Sequence, residues 1–245
     1  MKKKFSSLVF LVASIINISF AQQIEWDFPT KPGTQAWKSL KSWNERVSAC
    51  QIEPQKLKTI STSGLVKICS QYPFFTSYGF YDSPIGGFNA SLSLFNGYTE
   101  LMSRKNSLQT IMAVLENENF DELKAESDSL KRAEKTLRWI GLEMLMSNDL
   151  EIKKLTSDEK NNFTKKIINI YDKKGAYNKD FGGISDAASC FLSRKLLISM
   201  NALKRQEKLE KQKKVDLFDK TMVTDDEFLV QELIMEVKDY CKKLN

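Results

Sequence analysis

Histidine is absent from the 245-residue chain. That absence excludes nucleophilic catalysis by Ser-His or Cys-His pairs, and most zinc sites, because imidazole is the usual general base near neutral pH and a common zinc ligand. An enzyme built on this sequence would have to use carboxylates, lysine or tyrosine.

Carboxylate chemistry is therefore the enzymatic option that remains. The acids nearest to aromatic or glycine-bearing segments are Glu45, Asp82, Glu100, Glu143 and Asp186. A glycoside hydrolase needs two carboxyl groups across a sugar cleft, and the sequence does not show that any two of these acids face each other. Acids on helices are more often solvated or capping residues. We therefore assign no catalytic residue, no cofactor and no metal site from the sequence.

Two segments of the chain resemble each other and supply candidate ligand-loop residues. These residues are Tyr81, Asp82, Gly86 and Gly87 in the first segment, and Tyr177, Gly182 and Gly183 in the second. A glycine pair lets the backbone turn tightly and can present free amides to an anion at a helix start. Neither segment has the spacing of a phosphate-binding loop. We expect hinge turns rather than anion sites at both glycine pairs. An internal repeat of two helical hairpins would explain the similarity of the two segments, and coincidence within a helical chain is the alternative.

The cysteines Cys50, Cys69, Cys190 and Cys241 suggest disulfides in a protein that leaves the reducing cytosol. Pairing between nearest neighbours would join Cys50 to Cys69 across a helix-turn-helix, and Cys190 to Cys241 between the apolar faces of the last two helices. The sequence does not fix the connectivity. For the second pair, buried free thiols are an equally good interpretation, because free cysteine behaves as a small core residue.

Residues 1–21 have the layout of a signal peptide. Three lysines precede an apolar run, and small residues at Ser19 and Ala21 precede Gln22. We expect cleavage after Ala21 and an exported protein that is periplasmic or extracellular. An uncleaved anchor is the alternative, but polar residues interrupt a run that would need about 20 predominantly apolar residues. We predict no membrane span after cleavage.

The mature chain has a small net charge. The whole chain has 37 Lys and Arg residues against 31 Asp and Glu residues, and three of the lysines lie in the leader, so the mature balance is 34 minus 31, or +3. Nucleic-acid binding usually requires a concentrated basic stripe, so this charge does not support it. We expect the partner to be an envelope protein or a glycan, and the oligomeric state is not defined by the sequence.

The composition predicts an all-α fold. Glycine and proline are scarce, at 10 and 5 residues, and long stretches carry helix-forming residues with helical spacing. We predict about eight helices in an antiparallel bundle or a short array of α/α-hairpins. An extended arm over residues 22–33 precedes a helical domain over residues 34–245, which is either single or divided into two subdomains near residues 120–127.

The helix boundaries follow from apolar spacing and capping signals. Thr156 and Glu159 form a capping box at the start of one helix, and Thr224 and Glu227 form another at the start of the last. The predicted helices cover residues 34–50, 61–71, 89–104, 106–118, 127–147, 156–174, 185–214 and 224 onward.

The first third of the mature chain carries a resemblance to other proteins. It rests on segments that include Trp37-Lys38-Ser39-Leu40, Ala49-Cys50-Gln51-Ile52, Tyr72-Pro73, Gly87-Phe88-Asn89 and Phe95-Asn96-Gly97. With these residues the chain resembles a poorly characterised group of exported helical proteins from gut-type, Bacteroidetes-like bacteria. The resemblance implies export and a helical fold, and it implies no activity and no catalytic residue.

Overall fold

The computed structural model describes residues 26–203, 206, 208–226 and 228–244. Over these residues the protein is helical and contains no β-strand, which confirms the predicted fold class. The α-helices are α1 (Gln35–Ser39), α2 (Trp43–Ala49), α3 (Pro54–Thr59), α4 (Thr62–Gln71), α5 (Pro84–Leu92), α6 (Asn96–Ser103), α7 (Ser107–Glu116), α8 (Glu122–Ala125), α9 (Ser129–Met146), α10 (Asp149–Lys154), α11 (Ser157–Lys174), α12 (Asn178–Ile198), α13 (Leu209–Thr221) and α14 (Leu229–Lys242). The predicted signal peptide and residues 22–25 of the predicted arm lie outside the described residues.

The helices are shorter and more numerous than the sequence pattern predicted. The predicted helix over residues 34–50 is divided into α1 and α2, because Ser42 caps a new helix by accepting a hydrogen bond from the Glu45 amide at 3.2 Å. The predicted helix over residues 89–104 is divided into α5 and α6 before Asn96. The side chain of Asn96 donates to the Ile52 carbonyl at 2.7 Å and accepts from the Ile52 amide at 3.0 Å.

The predicted helix over residues 185–214 is also divided. Helix α12 ends at Ile198, and Asn201 follows in the left-handed conformation with φ of 54°. Asparagine tolerates that conformation better than most residues and commonly ends a helix. Helix α13 then begins at Leu209. Of the lysine-rich segment, residues 204, 205 and 207 lie outside the described residues.

Helix α12 is the central element of the fold. It packs against α9, α11 and α14, and most of its side chains are buried. Ser185, Ser189 and Ser193 recur at four-residue spacing on this helix and have no solvent exposure. Ser189 is paired within the buried polar cluster described below, whereas the hydroxyl groups of Ser185 and Ser193 have no hydrogen-bond partner among the described residues.

The N-terminal arm contributes to the core. Residues 26–33 form no helix, and Phe28 is buried against Tyr72 and Phe95, with ring centroids 6.2 and 5.8 Å away. Tyr72 and Phe95 stack with centroids 4.4 Å apart. One cluster of buried residues extends from Phe28 to Val237. Within residues 120–127, where two subdomains were predicted to meet, Phe120 and Leu123 belong to this same core.

All four cysteines are free thiols in the structure, so it does not contain the predicted pairs Cys50–Cys69 and Cys190–Cys241. The two cysteines of each predicted pair have different electrostatic neighbours, which are Tyr72 for Cys50, Tyr98 for Cys69, Arg194 for Cys190 and Lys165 for Cys241. Burial raises the pKa of Cys50 to about 11. A buried thiol with a raised pKa forms little of the reactive thiolate. Cys50, Cys69 and Cys190 therefore act as small core residues, and Cys241 is partly buried against the same core.

Candidate functional site

A groove with a volume of about 540 Å³ opens where four segments meet: the loop before α5, the start of α12, the residues between α13 and α14, and the first turn of α14. Its acids are Asp82, Asp186, Asp225 and Asp226. Its apolar side chains include Ile184, Ala187, Met222 and Val230. We refer to it as the acidic groove. It brings together two predicted candidate acids, Asp82 and Asp186, that are far apart in the sequence.

The first wall of the acidic groove is the loop that carries Asp82. Ser83 anchors this loop, because its hydroxyl donates to the Thr221 carbonyl at 3.1 Å and accepts from the Gly86 amide at 3.2 Å. Pro84 then occupies the first turn of α5, where its missing N–H costs nothing. The loop is thus tied both to its own helix and to the end of α13.

The predicted hinge at Gly86-Gly87 is not a turn, because both residues lie inside α5. Glycine is needed at position 87 for a different reason. A Cβ atom there would lie 2.4 Å from the Tyr81 ring, far inside contact distance. Tyr81 packs directly on the bare backbone of α5, which brings the neighbouring Asp82 to the groove.

The second wall is the start of α12, where the predicted hinge is present. Gly182 has φ of 61° and ψ of −173°, a conformation that only glycine adopts readily, and it kinks the helix. The helix resumes at Gly183, and helical spacing then directs Gly183, Asp186 and Ala187 to one face. Tyr177 lies elsewhere, with its hydroxyl donating to Asp121 at 2.7 Å.

Asp186 is the partly buried acid of the groove. The Gln231 amide donates to it at 3.4 Å, and no other hydrogen bond or ion pair joins it to a described residue. Burial raises the pKa of Asp186, and the attraction of Lys174 and the hydrogen bond from Gln231 offset this only in part. The positive charge near the Asp186 carboxylate is therefore too small to offset its burial.

The third wall is formed by Thr224, Asp225 and Asp226. The side chain of Asp226 accepts hydrogen bonds from the Lys214 ammonium at 3.1 Å and from the Phe228 amide at 3.2 Å. The bond from Lys214 is the main cause of the lowered pKa of Asp226. Lys214 is also 3.8 Å from Asp225. In the predicted capping box, Thr224 instead accepts from the Asp226 amide, and Glu227 lies outside the described residues.

A buried polar cluster lies beside the groove. Lys174 donates to both oxygens of Glu143 at 2.9 Å and to the Ser189 hydroxyl at 2.7 Å, and Ser189 in turn donates to Glu143 at 2.9 Å. Burial raises the pKa of Glu143, with Lys174 and Ser189 acting in the opposite direction. All three side chains are almost fully buried. We call this set the Glu143 cluster, and its groups contact each other rather than a ligand.

The remaining candidate acids have local structural roles. Glu45 accepts a hydrogen bond from the Lys41 amide at 2.7 Å, which belongs to the capping of α2. Glu100 forms an ion pair with Arg104 at 2.7 Å on one face of α6. Neither lines the acidic groove.

Sequence reasoning missed the groove residues contributed by α14 and the loop before it. In the sequence, no spacing pattern links Asp225, Asp226 and Gln231 to Asp82 or Asp186. In the sequence, Asp225 and Asp226 indicated only the start of a helix, as part of a capping signal.

The four carboxylates of the groove come from three separate segments of the chain, and those of Asp225 and Asp226 lie near the same Lys214 ammonium. Among the described residues, no group of three or more His, Cys, Asp or Glu side chains could hold a metal ion.

No family model matches the chain, and neither the curated proteins nor the solved structures include a significant match. Within the part of the chain that the structure describes, no helix combines the length and the apolar character needed to cross a membrane.

Proposed function

We propose that this chain is an exported, non-enzymatic binding protein of the cell envelope or the extracellular space, and that the acidic groove is its ligand site. The observation that carries the proposal is the convergence of Asp82 and Asp186 on one groove that also has an apolar lining. Ligand sites commonly combine an apolar surface with a few polar groups that fix orientation. An envelope protein or a glycan is the expected partner class.

The carboxylates of the groove support this proposal because two of them are not neutralised internally. Asp225 and Asp226 share Lys214, whereas no ion pair joins Asp82 or Asp186 to another described residue. Asp82 is exposed, whereas Asp186 is partly buried, and leaving a partly buried carboxylate without a cation costs stability. A site that binds a ligand commonly keeps such groups exposed to it.

The proposal can be tested with a substitution that fills the groove from an exposed helix position. Gln231→Arg places a cation beside Asp186 on the surface of α14. Met235→Arg is the matched control, because Met235 is 52% exposed on the same helix and does not line the groove. Protein and oligosaccharide fractions of the native envelope are added to each variant, and the melting temperature is measured.

A ligand that binds only the folded protein raises its melting temperature by mass action. We expect one fraction to stabilise the wild type and Met235→Arg but not Gln231→Arg. Equal stabilisation of all three proteins, or of none, would contradict the acidic groove as the ligand site.

Export is tested separately by mass spectrometry of the protein recovered from its own cells. We expect the mature chain to begin at Gln22. An intact Met1 would contradict the predicted signal peptide.

A carboxylate-dependent hydrolase that acts on glycan or cell-wall material is the second candidate. The observation that favours it is that burial raises the pKa of Asp186, as a general acid requires, while Asp82 lies in the same groove. The test is turnover of labelled oligosaccharides and peptidoglycan fragments. Turnover that is lost in both Asp82→Asn and Asp186→Asn, with binding retained, would favour this candidate over simple binding.

A further inference from the structure

Resting on the proposed binding function, we propose that the acidic groove docks an extended peptide segment bearing lysine or arginine from an envelope partner, with Asp186 and Asp82 receiving its cationic side chains. The juxtaposition behind this proposal is a groove lined by four aspartates together with apolar side chains.

Charge complementarity identifies the class of ligand. Four aspartates line the groove, and Lys214 is the one described residue that forms an ion pair with any of them. Counting these groups alone, four negative charges and one positive charge leave −3. A partner that carries positive charge gains from this local field, whereas a neutral sugar would leave the carboxylates without a counterion.

The apolar lining indicates that the ligand is more than a simple polycation. Ile184, Met222 and Val230 line the same groove as the acids and offer no partner to an ammonium group. A peptide places apolar and cationic side chains alternately along its length, so it can contact both kinds of surface. A linear polyamine lacks the apolar side chains.

Two exposed aromatic residues lie close in the sequence to acids of the groove. Phe80 is 92% exposed, two residues before Asp82, and Phe228 is 66% exposed, two residues after Asp226. The backbone amide of Phe228 donates to Asp226 itself, which fixes this residue at the edge of the groove. Large exposed aromatic side chains beside a groove are typical of protein interfaces, where such residues are enriched.

The distribution of the acids indicates an extended conformation of the ligand. The acids come from the loop before α5, from α12 and from the loop before α14, and they do not form a compact ligand set for one ion. Several side chains spaced along a chain can reach carboxylates on all three segments, whereas the single ammonium of Lys214 lies near only the consecutive residues Asp225 and Asp226.

The test uses fluorescein-labelled short peptides and the full mature protein, with fluorescence anisotropy as the measurement. The probes are a peptide in which lysine alternates with valine, the same peptide with glutamate in place of lysine, and spermine as an unlabelled competitor. The proteins are the wild type, Asp186→Asn, Gln231→Arg and the control Met235→Arg.

We expect the lysine peptide to bind the wild type and Met235→Arg equally, and to bind Gln231→Arg and Asp186→Asn about tenfold more weakly. The glutamate peptide should not bind, and added salt should weaken binding of the lysine peptide. Circular dichroism of each variant confirms that the fold is retained. Lysine-peptide binding that is the same in all four proteins, or no binding at all, would overturn the proposal.

Two further outcomes separate this inference from the proposed function. Displacement of the lysine peptide by spermine at equal charge concentration would show that charge alone is recognised, and would overturn the peptide assignment. If an oligosaccharide fraction binds in a way that Gln231→Arg abolishes while the lysine peptide does not bind, the groove remains the ligand site and the peptide inference fails. If Gln231→Arg affects no ligand, both fail.

Discussion

Glu143 and Asp186 both interact electrostatically with Lys174, and their surroundings differ. Glu143 is 1% exposed and has two partners, Lys174 and Ser189, within 2.9 Å. Asp186 is partly buried at the groove wall, where its bond from a described residue is a 3.4 Å contact with the Gln231 amide. The first carboxylate holds α9, α11 and α12 together, and the second remains able to bind a cation from outside.

Burial alone therefore does not identify a functional acid in this fold. Burial raises the pKa of both carboxyl groups. What separates them is whether the protein itself supplies the opposite charge. A buried carboxylate that is already paired with a cation of the protein chiefly fixes one arrangement of the helices. A partly buried carboxylate without such a cation favours binding of a positively charged ligand.

The largest expected effect comes from breaking the Glu143 cluster. Lys174→Met leaves Glu143 as a buried carboxylate without a cation, and we expect the free energy of unfolding to fall by about 3–5 kcal/mol. In a domain of this size each kcal/mol corresponds to about 2–4 °C in melting temperature. Denaturant titration followed by circular dichroism measures the change.

Two controls show whether the missing charge is the cause. Lys173→Met changes the exposed neighbouring residue and should alter stability by no more than about 0.5 kcal/mol. The double variant Lys174→Met with Glu143→Leu removes both charges and should recover most of the loss. If Lys174→Met is as stable as Lys173→Met, the cluster does not hold the three helices together.

The second effect concerns the kink at Gly182, which separates the first turn of α12 from the groove wall that begins at Gly183. Gly182→Ala forces a side chain into a backbone conformation that only glycine adopts readily, and should cost about 1–3 kcal/mol. Gly183→Ala is the matched control, because a Cβ atom there meets nothing within 4 Å and the conformation is helical.

Replacement of a helical glycine by alanine normally stabilises by about 0.5–1 kcal/mol. Opposite signs for the two variants, measured by thermal unfolding, are therefore expected. Equal stabilities would show that the Gly182 conformation is not enforced by the fold.

The sequence predicted those features whose causes are local. The capping box of α11 was correct, since Thr156 accepts from the Glu159 amide at 3.2 Å and Glu159 accepts from the Thr156 amide at 2.8 Å. The helical class was also correct. The helix breaks at Ser42 and before Asn96 were missed, because the apolar spacing continues across both breaks and contacts with distant backbone groups decide the second.

The candidate site was only partly predictable. Asp82, Asp186 and Gly183 were among the candidates because each lies near glycine or aromatic residues. Their meeting in one groove depends on the packing of α12 against its neighbours, which no local pattern records. The Glu143–Lys174 pair joins helices through residues 31 positions apart, and neither residue has a neighbour in the sequence that reveals the other.

A smaller effect, the dependence of stability on pH, distinguishes Asp186 from the Glu143 cluster. Because its folded pKa is raised, the ionised Asp186 destabilises the fold above that pKa, and the penalty disappears as pH falls below the ordinary aspartate value of about 3.9. Asp186→Asn should therefore be more stable than the wild type at neutral pH, by no more than about 0.5 kcal/mol.

The advantage of Asp186→Asn should vanish in acid. The charged or titratable groups that interact with Asp186 are Lys174, Glu143, Tyr171 and Cys190. These residues are unchanged in the variant, and Asp186 itself contributes to the raised pKa of Glu143, so the measured pH dependence reports Asp186 together with this coupling. A series of urea titrations from neutral to acidic pH measures the difference, and an advantage that is constant with pH would contradict a raised pKa.

The smallest effect is expected at Lys214, the one described residue that pairs with acids of the groove. The ammonium is exposed, and exposed ion pairs contribute little to stability, so Lys214→Ala should leave the melting temperature almost unchanged. It should nevertheless release Asp225 and Asp226 for an incoming cation. We expect the lysine peptide to bind about threefold more tightly at low salt, because a charged residue at the rim of a site chiefly changes the rate of association.

Lys220→Ala is the control, since Lys220 lies at a different cavity and pairs with none of these acids. The gain should disappear at high salt, where charges are screened beyond about 3 Å at 1 M. Tighter binding that persists at high salt would mean that Lys214 blocks the groove by its size and not by its charge.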